Sequence, residues 1–547
     1  VSRQFNRIAI PCLYANIVLR GDLDGERDLV HLLPLAYQIF ASPARAALVK
    51  SVVLPDGWAG YQDAPRLEGI ERRPWPNLGT PQTERVLKMT CHGYALNDEE
   101  AGMLYGRIIA SDNADLVVTL LVANLPNLQS LDLKLDRFCD QKMFLAMFER
   151  VGKRLKPFHS IPPKPLAASP DPSPTIAFSK PIDIFIRENH VGDTVYLASF
   201  FHLPNLRSIC AFKFGDLRPP TNNPFASLTR HACGVQHIEL RNSSLDIEGL
   251  LCLLDAIRPG KLKTFLYEIG NLFGGGIDFR AFMPTLGPIR DTLETLELGH
   301  QEINESGLSY IWDGSLLSMP IAVCFASFQS LRRLKVAPVF IWGHAGFPTE
   351  GGLQRSRWRD MLWKAFPKTL EELWLTKSHY KPFPCEGEAG TDFVPHLLIP
   401  ALHCILRRRS ESFPYLRSMR LEFPPCGWKN EWLDLLADFC QAAMTEGVHC
   451  TIILTHDWRD FDIDDKATMA ATAERGWGWE EDDEWTSVPL AANRIWRRHV
   501  IDAANAINLT ETMRTLKHGV FTEQLNWLEG RRLGRDLQRA TEKSMYK

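Results

Sequence analysis

Three groups of residues have types and spacings that could do chemistry. His231, Cys233 and His237 place a thiol between two imidazoles, the beginning of a zinc-ligand set. No fourth ligand follows at a zinc-site spacing, so the two histidines are expected to be a loop residue and a strand-face residue. The acidic run from Glu480 to Glu484 lacks the ligand geometry of a calcium site and reads as a solvated loop. The third group is a ladder of polar and aromatic side chains: Asp132, Lys134, Glu239, Arg241, Glu268, Glu297, Arg333, Lys335, Glu372, Trp374, Arg420 and Glu422. Mixed charge with a Trp is the chemistry of a protein-binding surface, aromatic and Arg anchors in a polar surround. Trp374 stands out because a Trp on a solvent face needs a cover, either a partner or an insertion of the chain. A nucleic-acid groove would need a stripe of one sign, which this ladder lacks. HExxH, GxSxG and GxxxxGK[ST] are absent, and the run Gly274, Gly275, Gly276 lacks the lysine and hydroxyl of a phosphate loop. No catalytic residue, no metal ligand and no cofactor is therefore expected.

What must position the ladder is a recurring phrase: an apolar residue, then others three and five positions later. It is clearest at Leu128, Leu131 and Leu133, and it recurs at Leu206, Ile209 and Ala211, and at Leu293, Leu296 and Leu298. Leu331, Leu334 and Val336 carry it, as do Leu370, Leu373 and Leu375, and Leu416, Met419 and Leu421. Weaker copies are Val49, Val52 and Leu54, then Val235, Ile238 and Leu240, then Leu262, Phe265 and Tyr267. Side chains alternate faces along a strand, so positions four and six of the phrase share one side while three, five and seven share the other. A unit with a single apolar row cannot bury it alone, so such units stack. The expected fold is α/β, a leucine-rich repeat solenoid: an irregular horseshoe with a parallel β-sheet on its concave face, carrying the ladder, and helices on the convex face. Unrelated amphipathic strands of another α/β fold are the alternative.

Composition sets few limits beyond this. The formal net charge of -3 arises from 62 basic and 65 acidic residues, so no overall field recruits nucleic acid or an anionic membrane. The cysteines are scattered without a CxxC pair, as small core residues of a reducing compartment are. No apolar run reaches membrane-spanning length. Along the chain, 28–47 has helical spacing, Pro55–Pro81 reads as a long loop, and MLYGRIIA, DLVVTLLVANL and LDRFCDQKMFLAMFERVGKRL read as helices. A Pro-rich insertion is expected at about 157–175, and insertions at Trp342–Gly352 and Pro382–Gly390 are expected on one rim. IEGLLCLLDAI is a helix with Asp246 as N-cap, ended by Pro259 and Gly260. EWLDLLADFCQAAMTEG is another, followed by a last strand, VHCTIIL, whose outward positions are taken as Cys450, Ile452 and Leu454. That strand needs a cover, with Trp477, Trp479 and Trp485 as plugs. NSS at Asn242 and NLT at Asn508 match the glycosylation acceptor pattern. The expected domains are 1–20, a short leader; 21–455, the array; and 456–547, a capping region with an acidic loop and then helices.

The leader, VSRQFNRIAIPCLY, resembles the last helix and exit segment of an F-box in the fungal F-box and leucine-rich-repeat proteins. Val1, Ser2, Phe5, Ile8, Pro11, Leu13 and Tyr14 match that phrase. Pro11 is expected to break the helix, with Leu13, Tyr14, Ile17 and Leu19 leading into a strand. The resemblance implies an intracellular protein, cytoplasmic or nuclear, that docks through its F-box onto a Skp-type adaptor of an SCF-type (cullin-RING) ubiquitin ligase. It further implies that the repeats select a protein substrate on their concave face. The earlier F-box helices are absent and the chain opens on Val1, so further sequence upstream is expected. The alternatives are a free-standing repeat scaffold, in which the leader is only a lid over the first repeat, and an enzyme with a dispersed site.

Overall fold

The computed structural model describes residues 12–19, 27–54, 80–109, 114–135, 141–155, 178–188, 194–215, 223–243, 245–270, 282, 284–300, 325–337, 340–341, 362–376, 398–423, 430–454 and 499–502. The chain forms two compact units, Val1–Gly314 and Ser315–Lys547.

In the first unit the strands β1 (Asn16–Val18), β2 (Ser51–Leu54), β3 (Ser130–Leu135) and β4 (Ile182–Glu188) are followed by β5 (Leu206–Phe212), β6 (His237–Ser243), β7 (Thr264–Ile269) and β8 (Thr295–His300). Each pairs in parallel with the next in sequence. In the second, β9 (Arg333–Val336), β10 (Glu372–Leu375), β11 (Ser418–Phe423) and β12 (His449–Leu454) pair the same way, and β13 (His499–Asp502) lies antiparallel against β12. The architecture is thus α/β with parallel strands in sequence order, compatible with a solenoid-like arrangement.

The register follows from the apolar phrase. Val52, Leu131, Ile184, Ile209, Ile238, Phe265 and Leu296 are successive cross-strand partners in the first unit. Leu334, Leu373, Met419 and Cys450 are the corresponding series in the second. Every residue of all nine triads is at most 1% exposed. Burying a Leu or Ile side chain this fully contributes about 1.5–3 kcal/mol, and a one-residue slip would turn the whole row to the other face. Single carbonyls lock the strand starts: Lys50 O accepts from Gln129 and Ser130 N–H, Gln236 O from Lys263 and Thr264, Arg332 O from Glu371 and Glu372. The same row faces the helical side. Tyr267 stacks on Phe282 at 6.2 Å between centroids, and Cys450 Sγ lies 3.5 Å from Cys440 Sγ on helix Asn430–Thr445. Tyr267 occupies a leucine position because its hydroxyl accepts the Leu245 N–H at 3.1 Å, which spares a buried donor.

The helices expected between 28 and 455 form, with local reasons for their ends, whereas the segment after Leu490, expected to be helical, contributes the strand β13 at His499–Asp502 instead. The 28–47 segment divides into Arg27–Phe40 and Pro43–Ala46, since Ser42 caps a new start and Pro43 suits a first turn. Asp246 caps Ile247–Asp255, and Gly260 follows that segment at φ +80°. Asp115, buried in helix Ala114–Ala123, accepts the N–H groups of Met143 and Phe144 at 2.8 and 3.0 Å and so caps helix Lys142–Leu155 from outside it. Gly152 in that helix has no room for a side chain, because a Cβ would stand 2.2 Å from the His202 carbonyl oxygen. Among the described residues no helix is long and apolar enough to cross a membrane.

Several expectations need correction. Strand β4 carries Ile184 and Ile186 at positions four and six, but position one is Pro181, so the phrase does not announce it. Leu13 and Tyr14 lead into β1 as expected, but by way of a helical turn over residues 12–15. In β12, Cys450 and Ile452 pair with Met419 and Leu421 and therefore belong to the buried row; His449 and Thr451 take the other face. The strand that lies beside β12 is β13. Val1, Ser2, Phe5, Ile8 and Pro11 lie outside the described residues. So do 55–79, the Pro-rich 157–175, the insertions around Trp342–Gly352 and Pro382–Gly390, the acidic run, the three expected Trp plugs and Asn508.

Candidate functional site

All twelve ladder residues lie on strands, on the face opposite the buried row. Position five of each phrase forms one cross-strand series per unit. In the first it runs through Asp132, Phe185, Cys210, Glu239, Leu266 and Glu297. In the second it runs through Lys335, Trp374, Arg420 and Thr451.

The first unit gathers three of the expected carboxylates around the guanidinium of a fourth expected residue, Arg241. Arg241 Nε donates to Glu239 Oε1 at 2.7 Å and Nη1 donates to Glu297 Oε1 at 2.6 Å, while Glu268 Oε2 stands 3.7 Å from Nη1. Glu239 and Glu297 are two strands apart with Leu266 between them, and Arg241 spans the gap. It can do so because the β6–β7 register shifts between Leu240 and Ser243, a bulge that re-aims the side chain. Gly270 follows from the same bulge, as a Cβ there would meet the Asn242 carbonyl oxygen at 2.5 Å. The Glu239 and Arg241 side chains are 10% and 20% exposed. Burial pushes the Glu239 carboxyl up, but the hydrogen bond from His237 and the charge and hydrogen bond of Arg241 outweigh it and hold the pKa at about 2. For Arg241 burial works against the charge, and Glu297 and Glu239 more than restore it, so its pKa is raised.

Two further face residues complete this cluster: His237, position three of its own phrase, and Cys210, which the expected ladder does not include. Cys210, opposite Glu239 on β5, places Sγ 3.7 Å from Glu239 Oε2. His237, two residues before Glu239, places Nε2 3.6 Å from the same oxygen. Burial first, and then the Glu239 charge, push the Cys210 thiol up to about 12. Cys210 was legible in principle, since it is position five of LPNLRSICAFKF; its cross-strand neighbour was not. Of the histidine–cysteine trio read from the sequence, His231 is an exposed turn residue at φ +57° and His237 a strand-face residue, as expected. Cys233 is buried away in an isolated bridge with Ile257.

In the second unit the Trp374 ring carries the Lys335 ammonium 4.2 Å and the Arg420 guanidinium 5.4 Å from its centroid. Its neighbours in the series thus lie against the ring, and the insertions expected as a cover lie outside the described residues. Arg333 Nε lies 3.7 Å from Glu372 Oε1, a mostly exposed pair. Beside this row Glu371 accepts from Arg417 and stands 3.7 Å from Arg332 Nη1. Asp132 and Lys134 on β3 and Glu422 on β11 are half-buried on the same face of their own units.

At the amino-terminal end, Leu13 is 72% exposed, and Tyr14 packs beneath the Arg45 guanidinium at 5.6 Å. Lys50 N–H donates to the Ala15 carbonyl, which ties this turn to β2. In comparison with known proteins, no family model and no curated protein matches the chain.

Proposed function

We propose that this chain is a non-catalytic protein-interaction module, binding a protein partner on the ladder face of its strands as the substrate-recognition subunit of an SCF-type ubiquitin ligase. The observation that carries the interaction reading is the row Lys335, Trp374, Arg420 with Arg333, Glu372 and Glu422 around it. A half-buried indole between two cations, rimmed by solvated charge, has the make-up of a binding hot spot. The ligase reading rests on the VSRQFNRIAIPCLY phrase preceding a strand array. The test is affinity capture from cells with the full-length gene product and its Trp374→Ala variant. Recovery of a Skp-type adaptor with both, and of a protein substrate only with the parent, is the expected result. Failure to recover the adaptor removes the ligase role, and equal recovery of the substrate removes the Trp374 face. The tie between residues 12–15 and β2 favours a second reading, a free-standing scaffold whose leader serves only as a lid; it predicts substrate capture without any adaptor.

A further inference from the structure

Cys210, His237 and Glu239 are brought together by strand pairing alone. Cys210 and Glu239 are direct partners across β5 and β6, and His237 is two residues from Glu239, so all three project from one face. One ligand atom from each residue lies within 4.8 Å of the other two, with 3.7 Å from Cys210 Sγ to Glu239 Oε2 and 3.6 Å from His237 Nε2 to the same oxygen. A tetrahedral zinc ion with ordinary bond lengths separates a sulfur and an oxygen ligand by about 3.5 Å, and a nitrogen and an oxygen by about 3.3 Å. The sulfur–oxygen and nitrogen–oxygen separations thus stand within a few tenths of an ångström of what such an ion requires, and the sulfur–nitrogen separation is no more than 4.8 Å.

We propose that Cys210, His237 and Glu239 form a binding site for a divalent transition-metal cation of the zinc type, held through Sγ, Nε2 and Oε2 with a fourth position open to water. The donor set selects the metal. A thiolate and an imidazole favour zinc-like ions over magnesium or calcium, which take oxygen ligands. Arg241 fixes Glu239 by its other oxygen, Oε1, and so leaves Oε2 aimed at the cation; ligating carboxylates are commonly oriented by such a hydrogen bond. The positive charge of Arg241 is shared with Glu268 and Glu297 as well as Glu239, so the cluster retains excess negative charge among the described residues. On binding, the Cys210 thiol loses its proton to solvent as the sulfur–metal bond forms, and the imidazole coordinates through Nε2 with its proton on Nδ1. This site is independent of the interaction reading above and survives its failure.

The test uses the full chain stripped with a chelator and titrated with Co²⁺, whose thiolate charge-transfer absorption reports sulfur ligation, followed by competition with Zn²⁺. One equivalent of Co²⁺ should produce the thiolate band and Zn²⁺ should abolish it. Cys210→Ser should lose the band, Cys252→Ser should keep it, and His237→Asn and Glu239→Gln should each weaken Zn²⁺ binding at least tenfold. Far-UV circular dichroism confirms that each variant is folded. Glu239→Gln also removes a partner of Arg241; should it fail to fold, the half-buried His237→Asn decides. Absence of a thiolate band in the parent, its persistence in Cys210→Ser, or unchanged Zn²⁺ affinity in His237→Asn would each overturn the site and leave an ordinary ion network.

Discussion

Glu239, Leu266 and Glu297 succeed one another across β6, β7 and β8 as Lys335, Trp374 and Arg420 do across β9, β10 and β11. Both rows occupy position five of consecutive phrases, and both set an apolar side chain between two like charges. In the first row Arg241 reaches over the leucine and pairs with both carboxylates, with side chains only 10–20% exposed. In the second the indole itself receives the two cations, and the adjoining Arg333–Glu372 pair remains 62% exposed at the arginine. The same strand order and phrase position thus yield a buried ion network in one unit, where β6 carries a register shift, and a solvated aromatic patch in the other, where the register is regular. Where charges are desolvated, removing one partner leaves the others stranded at high cost; where water screens them, they contribute little to stability and stay available to a partner.

This contrast can be broken from either side. Arg241→Met should have the largest effect, a loss of about 3–5 kcal/mol, because it leaves buried carboxylates without their cation. Urea unfolding followed by far-UV circular dichroism measures it, and a loss below about 1 kcal/mol would mean that the network is solvated after all. Lowering the pH should have the next largest effect. Glu239 titrates near 2 when folded and at about 4.3 in an unfolded chain, so its contribution is complete above the unfolded value and is lost as pH falls towards the folded one. The loss between pH 5 and pH 2 should be on the order of 2–3 kcal/mol in the parent and be reduced in Glu239→Gln; parallel pH profiles for the two proteins would contradict the assignment.

In the second unit the expected effects shrink. Trp374→Ala removes two cation–π contacts and should cost about 1–2 kcal/mol, visible as a modest shift in the urea midpoint. Arg333→Ala should change stability by no more than about 0.5 kcal/mol, and added salt should erase even that. If Arg333→Ala destabilised the chain as much as Arg241→Met, the distinction between a buried and a solvated row would fail.

Legibility in the sequence followed the range of the interaction that had to be read. Period-two alternation is local, so Leu131, Leu296 or Leu373 declares its face within its own phrase, and all nine triads are buried. Strand β4 escaped because Pro181 stands where an aliphatic residue usually does, and β12 was assigned the wrong outward row because Cys450, Ile452 and Leu454 alternate with residues, Thr451 and Ile453, that give no clear polar contrast. Where both rows of a strand are partly apolar, alternation alone cannot name the buried one; the partner strand does.

Recurring short strands, the buried row of nine of them and the polar residues on their other face can all be read from the order of residues alone. Those properties depend on side-chain alternation over five or six residues. Which of those face residues meet depends on the folding of the chain in space. Arg241 and Glu297 are 56 positions apart and Cys210 and Glu239 are 29 apart, and their contacts require that the chain between them return in register. That return is imposed by the shared burial of Ile209, Ile238, Phe265 and Leu296, whose common row aligns the strands and thereby the charges on the opposite face.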